Sequence, residues 1–370
     1  MKFSVASTEL QKGLTRISGV VPSKSTLPIL ENILFNLAKN TLRISATDLE
    51  VSMSATIDVK GLEDGSVAVP AKRVMETIRS LPEIQLVFHA DPSSNKIKMI
   101  TENGEYNLVG ESSEEFPAVP QFKSDEQFAL QGGMLKSLIH RTIFSVSTDE
   151  LRPAMTGVLL QLKGSDVRAV ASDGHRLVRI NFSGLKPKFK KDIIVPAKAL
   201  ALVSRSAEEN ENTMAVDSSH VQFTFGNTTL TSRLIEESYP NYESVIPLDN
   251  EKKLAVSRDL LLASVKRVSL YSSSTTHQVR FALKKNEMLV TAEDIDFGGE
   301  AKEKIPCHYD DEPIEIGFNS SYVVDILSHI ESDDVVFRFS SSVRAAIVAP
   351  ATQRENEDVL MLVMPMRLNN

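Results

Sequence analysis

At 370 residues, with 42% hydrophobic and 24% charged side chains, the chain has the composition of a folded protein of two or three ordinary domains, which excludes a disordered chain and a single small fold. No apolar run reaches membrane-spanning length, and the start MKFSVASTELQKG has neither an apolar core nor a small-residue cleavage site, so a cytoplasmic location is expected. A formal charge of -8 counts against indiscriminate coating of nucleic acid, and the single cysteine, Cys307, with only His308 beside it, allows no internal disulfide and no structural zinc site.

In chain order, KFSV reads as a short strand, followed by a helix whose Leu10, Leu14 and Ile17 keep the i, i+4, i+7 stripe of one buried face. VPAK at Val69 to Lys72 opens a second helix with Val74, Ile78 and Leu81 on one side. IQLVFHA and KIKMI alternate with period two as half-buried strands do, and Asn103-Gly104 before EYNLV is a two-residue hairpin signal. After the acidic connector EEFPAVPQFKSDEQ the same grammar restarts: QFALQGGMLKSLIHRT, then VRAVASDGH, then VPAK again at Val195 to Lys198, with Gly226-Asn227 between VQFTF and TTLTS. Beyond the connector EESYPNYESVIPLDNEK it restarts once more. There KLAVSRDLLLASVKRV carries Leu261, Val265 and Val268, MLVTAEDID follows, and GFNSSYVVDI leads into Val323, Leu327 and Ile330.

The landmarks hold a register. Phe3, Phe128 and Leu254 lie 125 and 126 residues apart, and each is followed seven residues later by Leu10, Leu135 or Leu261. Ala46 with Asp48, Ala171 with Asp173, and Ala292 with Asp294 recur at equivalent points. The chain is therefore read as three copies of one α+β module, each with two helices packed on antiparallel sheets, over residues 1–122, 123–249 and 250–370, stacked regularly or in an arc.

Cations gather on the predicted helices while acids crowd the loops. The first helices carry Lys12 and Arg16, Lys136 and Arg141, and then Arg258, Lys266 and Arg267 against Asp259; the second carry Lys72, Arg73 and Arg79 against Glu76, and Lys198 with Arg205. The sixth helical stretch dissents, with Asp325 and Glu331 and only His329 on the other side. Such faces suit phosphates read without sequence, or are simply solvated.

No enzymatic signature of the P-loop, dinucleotide, zinc-protease or nucleophile-elbow type occurs, so no catalytic residue, metal or cofactor is expected. Asp48, Asp173 and Asp294 read as turn caps once per module; two of them within coordination range would instead suggest a metal site. Asp173 and His175 could be a general-base pair, but no nucleophile stands beside them. The ending VLMLVMPMRL reads either as a buried last strand or as the adaptable floor of a groove built from Met364, Pro365 and Met366.

Taken together, MKFSV, STLPILENI, the two VPAK helices, ASDGHRL, YPNYESVIP and MPMRL span nearly the whole chain, and with them it resembles the bacterial DNA polymerase III beta subunits, the sliding clamps. DGHRL and MPMRL at these two places are the specific part. The resemblance implies a non-enzymatic processivity factor: a head-to-tail homodimer forming a pseudo-sixfold ring around duplex DNA, with the basic helices Lys12 to Arg267 facing the DNA without sequence preference. Lys24, in Ser23-Lys24-Ser25, matches a DNA-contacting loop that often has Arg, and keeps the charge without the fork. The implied pocket for short linear motifs comprises Met155, Ser172, Gly174, His175, Arg176, Leu177, Pro247, Leu362, Val363, Met364, Pro365, Met366, Arg367 and Leu368. Its implied partners are the replicative polymerase catalytic subunit, the clamp loader, repair polymerases and mismatch-repair proteins. Ser172 stands where Thr is common, and Asn369 and Asn370 follow the residue at which many members end. Tyr106 and Leu108, with Leu270 and Tyr271, match the dimer interface or belong to their own cores. A non-ring scaffold that binds DNA through basic helices is the alternative reading.

Overall fold

The computed structural model describes residues 1–120, 122–207, 209 and 211–368, so Asn369 and Asn370 lie outside the described residues. Among those described there are six α-helices: α1 (Ser7–Ile17), α2 (Ala71–Ser80), α3 (Gly132–His140), α4 (Ala197–Ser206), α5 (Arg258–Val268) and α6 (Ser320–Ser328). None is long and apolar enough to cross a membrane.

Every one of these helices starts directly where a strand stops, with no intervening loop. This junction explains the repeated VPAK. Pro70 and Pro196 are the last strand residues before α2 and α4; proline donates no N–H and holds φ near the helical value, so it ends a ladder and admits a helix at once. Before α6 the same place holds Asn319, whose side chain accepts the Ser321 amide at 2.9 Å, so the divergent copy exchanges a proline junction for an Asn cap. The expected stripes are buried: Leu10, Leu14 and Ile17 on α1, Val74 and Ile78 on α2, Leu261, Val265 and Val268 on α5. Leu81 is half-buried and extended, because Pro82 behind it disfavours helical geometry and α2 ends at Ser80.

The chain forms two compact units. The first, residues 1–135 and 198–234, holds a five-stranded antiparallel sheet with Lys2–Ala6 near its centre and an eight-stranded one. Phe3, Phe88 and Phe35 stack between them, with ring centroids 5.0 and 5.3 Å apart. The second, residues 136–197 and 235–370, holds a nine-stranded and a four-stranded sheet. Strand pairing cuts across the sequence repeats. In the first unit Thr228–Arg233 pairs with Val51–Asp58, Leu230 opposite Met53. In the second Arg176–Ser183 pairs with Glu357–Val363, Leu177 opposite Leu362.

The three recurrent aspartates cap turns, as read from the sequence. Asp48 accepts the amides of Glu50 and Val51, Asp173 those of His175 and Arg176, and Asp294 those of Asp296 and Phe297.

Leu230 and Met53 are both 0% exposed where the two strands meet. Leu230→Ala is expected to destabilise the first unit by roughly 2–5 kcal/mol, seen as a lower denaturant midpoint. A loss below about 1 kcal/mol would mean that this strand pair is not a core contact.

Candidate peptide pocket and basic helix faces

A cavity of about 240 Å³ opens in the second unit, with a floor of Leu177, Leu362, Tyr242 and Met155, all under 9% exposed. Its wall is the turn between Asp166–Ser172 and Arg176–Ser183. Ser172 Oγ accepts the Gly174 amide at 3.1 Å and donates to the Arg176 carbonyl at 2.8 Å, while Asp173 Oδ1 takes the His175 and Arg176 amides at 2.8 and 2.9 Å. Gly174 sits at φ +91°, open to glycine and strained for other residues. The His175 carbonyl accepts the Met364 amide at 2.8 Å, which ties the chain's tail to the turn and leaves Met364 44% exposed over the cavity.

The opposite side is the connector Tyr239, Pro240, Asn241 and Val245, with Ala345 beside it. Tyr242 donates to Gln161 Oε1 at 2.7 Å, and burial pushes the Tyr239 phenol above its ordinary value. The lining is mostly apolar, and its size suits one or two side chains of a short peptide better than a cofactor.

Met155, Ser172, Gly174, His175, Arg176, Leu177, Leu362 and Met364 are thus brought together. Pro247 is a correction: the turn Tyr242–Val245 carries the chain away, and Pro247 lines a separate cavity of about 290 Å³ with Leu248 and Arg338. Pro240 is the proline at the pocket; two prolines in YPNYESVIP gave no way to choose. Val363 is also a correction, fully buried because strand side chains alternate faces. Pro365, Met366, Arg367 and Leu368 are not among the lining residues; the tail runs along Ile314–Asn319 instead. Met366 donates its backbone N–H to the Gly317 carbonyl at 2.8 Å, and a Cβ on Gly317 would lie 2.8 Å from Leu368 Cδ2.

Of the expected DNA-facing cations, Lys12, Arg16, Lys24, Lys72, Arg73, Arg79, Lys198, Arg205, Lys266 and Arg267 are exposed, and Lys136 is half-buried. Lys72, Arg73 and Arg79 make no ion pair among the described residues, whereas Lys12 pairs with Glu9, Lys198 with Asp48, and Arg16 donates to Asn227 and Thr228. Arg267 is held in a two-bond fork by Glu303 at 2.8 and 2.7 Å, which keeps the Glu303 carboxyl below its ordinary value. Arg141 is a correction. It follows the end of α3, is 4% exposed, and binds Glu331 and Glu357 at 2.6 and 2.7 Å, so it faces carboxylates and not solvent.

Tyr106 and Leu108 lie on Glu105–Val109, the last strand of its sheet; Leu270 and Tyr271, 80% and 49% exposed, follow α5. Gly299–Pro306 likewise ends its sheet.

Three domain families match along the chain: DNA polymerase III beta subunit, N-terminal domain, over residues 1–120, its central domain over 129–241 and its C-terminal domain over 243–367. A beta sliding clamp from Chlamydia muridarum is 31% identical with 100% of both chains covered, and one from Escherichia coli K12 is 30% identical at the same coverage. The chain belongs to the beta sliding clamp family. Among solved structures, a sliding clamp from Pseudomonas aeruginosa bound to griselimycin matches with TM-score 0.94 and 29% identity, and one from Caulobacter crescentus with TM-score 0.93 and 29% identity, both over 100% of each chain. As a DNA sliding clamp the protein acts in replication and is not an enzyme. In the turn itself Asp173 accepts the His175 and Arg176 amides, and His175 lines the cavity.

Just past α6, the His329 ring stacks on Phe144 with centroids 4.0 Å apart and lies 4.5 Å from His140. Burial lowers its pKa below the ordinary 6.5, His140 and Arg176 add to that, and the Asp325 carbonyl opposes it. The unfolded chain therefore takes up this proton first as pH falls, so the stabilisation is whole above pH 6.5 and is lost as pH drops through the folded value. The melting temperature is expected to be lower near about pH 5 than near about pH 7.5, and His329→Phe to flatten part of that drop. Parallel profiles for variant and wild type would assign the drop to other groups.

Proposed function

We propose that two copies of this chain close head to tail into a ring around duplex DNA, each copy contributing modules 1–122, 123–249 and 250–370, and that the ring tethers partner proteins to DNA in the cytoplasm. The observation that carries this reading is the match to sliding clamps over the full length of both chains at TM-score 0.94. The exposed Lys72, Arg73 and Arg79 support it: in a chain of net charge -8, cations kept free on a helix suit a weak, sequence-blind and salt-sensitive contact with phosphates. A ring is held by topology, so the contact needs little affinity. The strands Glu105–Val109 and Gly299–Pro306 end their sheets, and pairing between copies would cover both edges, with Tyr106 and Leu108 of one protomer against Leu270 and Tyr271 of its partner.

The pocket around Leu177, Leu362 and Met364 is the proposed seat for short apolar motifs, in turn, of the replicative polymerase catalytic subunit, the clamp loader, repair polymerases and mismatch-repair proteins. A lining with two methionines, Met155 and Met364, can repack around different side chains. Griselimycin, bound by the Pseudomonas aeruginosa relative, is proposed as a ligand of the same pocket and is a convenient probe.

Met364→Ala is expected to weaken griselimycin binding about tenfold in calorimetry, roughly 1.4 kcal/mol, while the mass in solution stays that of a dimer. Unchanged affinity would remove Met364 from the site. For the ring, protein loaded by a bacterial clamp loader on a nicked circular plasmid is expected to stay bound and to be lost when a single cut linearises the DNA. Retention on both forms would mean binding from an open basic surface, the non-ring scaffold.

A further inference from the structure

The sixth helix carries no lysine or arginine, and the acids on it and just beyond it, Asp325 and Glu331, are both taken by arginines from the middle of the chain. Glu331 receives Arg141 and also Arg354; Asp325 receives Arg176, a wall residue of the pocket. Neither Asp325 nor its neighbour Tyr322 lines the cavity.

The Arg176 side chain, 10% exposed, donates to three acceptors within the protein. Its Nε donates to Asp173 Oδ2 at 3.1 Å, Nη1 to Asp325 Oδ2 at 2.5 Å and Nη2 to the Phe144 carbonyl at 2.7 Å. The guanidinium carbon lies 4.8 Å from the Tyr322 ring centroid and 5.4 Å from that of Phe144. Asp173 uses its other oxygen for the amides of His175 and Arg176, and the His175 carbonyl holds the Met364 amide. A continuous set of contacts therefore runs from α6 through Arg176 and Asp173 to the turn and on to Met364. Tyr322 also stacks 5.9 Å from the His175 ring.

We propose that Asp325 is a positioning residue for the peptide pocket: by fixing Arg176 from α6 it sets the shape of the 173–176 wall and the place of Met364. The proposal rests on the reading of this cavity as the partner site. Asp325 leaves the basic set of helices because it has this task, and the pocket is complete only when α6 is docked on the turn. A neutral amide would keep one hydrogen bond to Arg176 and lose the charge that locks the fork.

The test is calorimetry with griselimycin on the full-length protein. Asp325→Asn is expected to weaken binding about tenfold, Asp325→Glu to restore most of it, and Asp325→Asn to add nothing in an Arg176→Lys background, where the fork is already lost. Glu331→Gln, which loosens the same junction through Arg141, is expected to lower the melting temperature with griselimycin affinity unchanged. Wild-type affinity in Asp325→Asn, or an equal loss in Glu331→Gln, would overturn the positioning role while leaving the pocket in place. A wild-type protein that does not bind griselimycin at all would overturn the pocket reading and this inference together.

Discussion

A β-strand left at the edge of a sheet exposes a row of unpaired N–H and C=O groups, and the architecture of this clamp follows from how those edges are shared. The middle repeat gives Thr228–Arg233 to the ladder of Val51–Asp58 and Arg176–Ser183 to the ladder of Glu357–Val363. Each repeat has its own helices, yet at least one of its sheets is completed by strands of a neighbour. The two compact units therefore cut across the sequence repeats, because shared strand ladders join neighbouring repeats. The cavity proposed as the peptide pocket lies at one such seam: Leu177 and Leu362 face each other across it and become the floor.

What was legible in the sequence was local. Leu10, Leu14 and Ile17, or Val74 and Ile78, announce helices because burial repeats every 3.6 residues, and VPAK announces a strand giving way to a helix because proline acts on its own backbone. The turn caps at Asp48, Asp173 and Asp294 were readable for the same reason, since each bonds amides two and three residues on. Long-range partners left no such trace. Arg141 looked like one more helix-face cation, while its carboxylates lie 190 and 216 residues away. Pro240 and Pro247 are alike in composition, and only the turn between them decides which meets the pocket. The resemblance supplied the turn residues with Met155, Leu177, Leu362 and Met364, but not Tyr242 or the connector residues opposite; helical and strand periods alone would have marked Leu177 and Leu362 merely as core.

The equivalent aspartates also show how repeats diverge. In all three copies one carboxylate oxygen serves the turn. The second oxygen of Asp48 receives Lys198 from α4, and that of Asp173 receives Arg176. Capping is common to the module, and the extra charge pairing is what each copy does differently.

The same divergence accounts for the uneven charge of the helices. A clamp that slides needs cations that meet phosphates weakly, and a chain of net charge -8 can hold such cations only where acids do not neutralise them. On α2 three cations have no ion pair among the described residues, on α5 Glu303 engages Arg267 in a fork, and on α6 the polarity is inverted. An acid on α6 would be a defect if DNA contact were the helix's main task. Paired with Arg176, it joins two repeats, so the helix least suited to phosphate is the one proposed to hold the candidate pocket in shape.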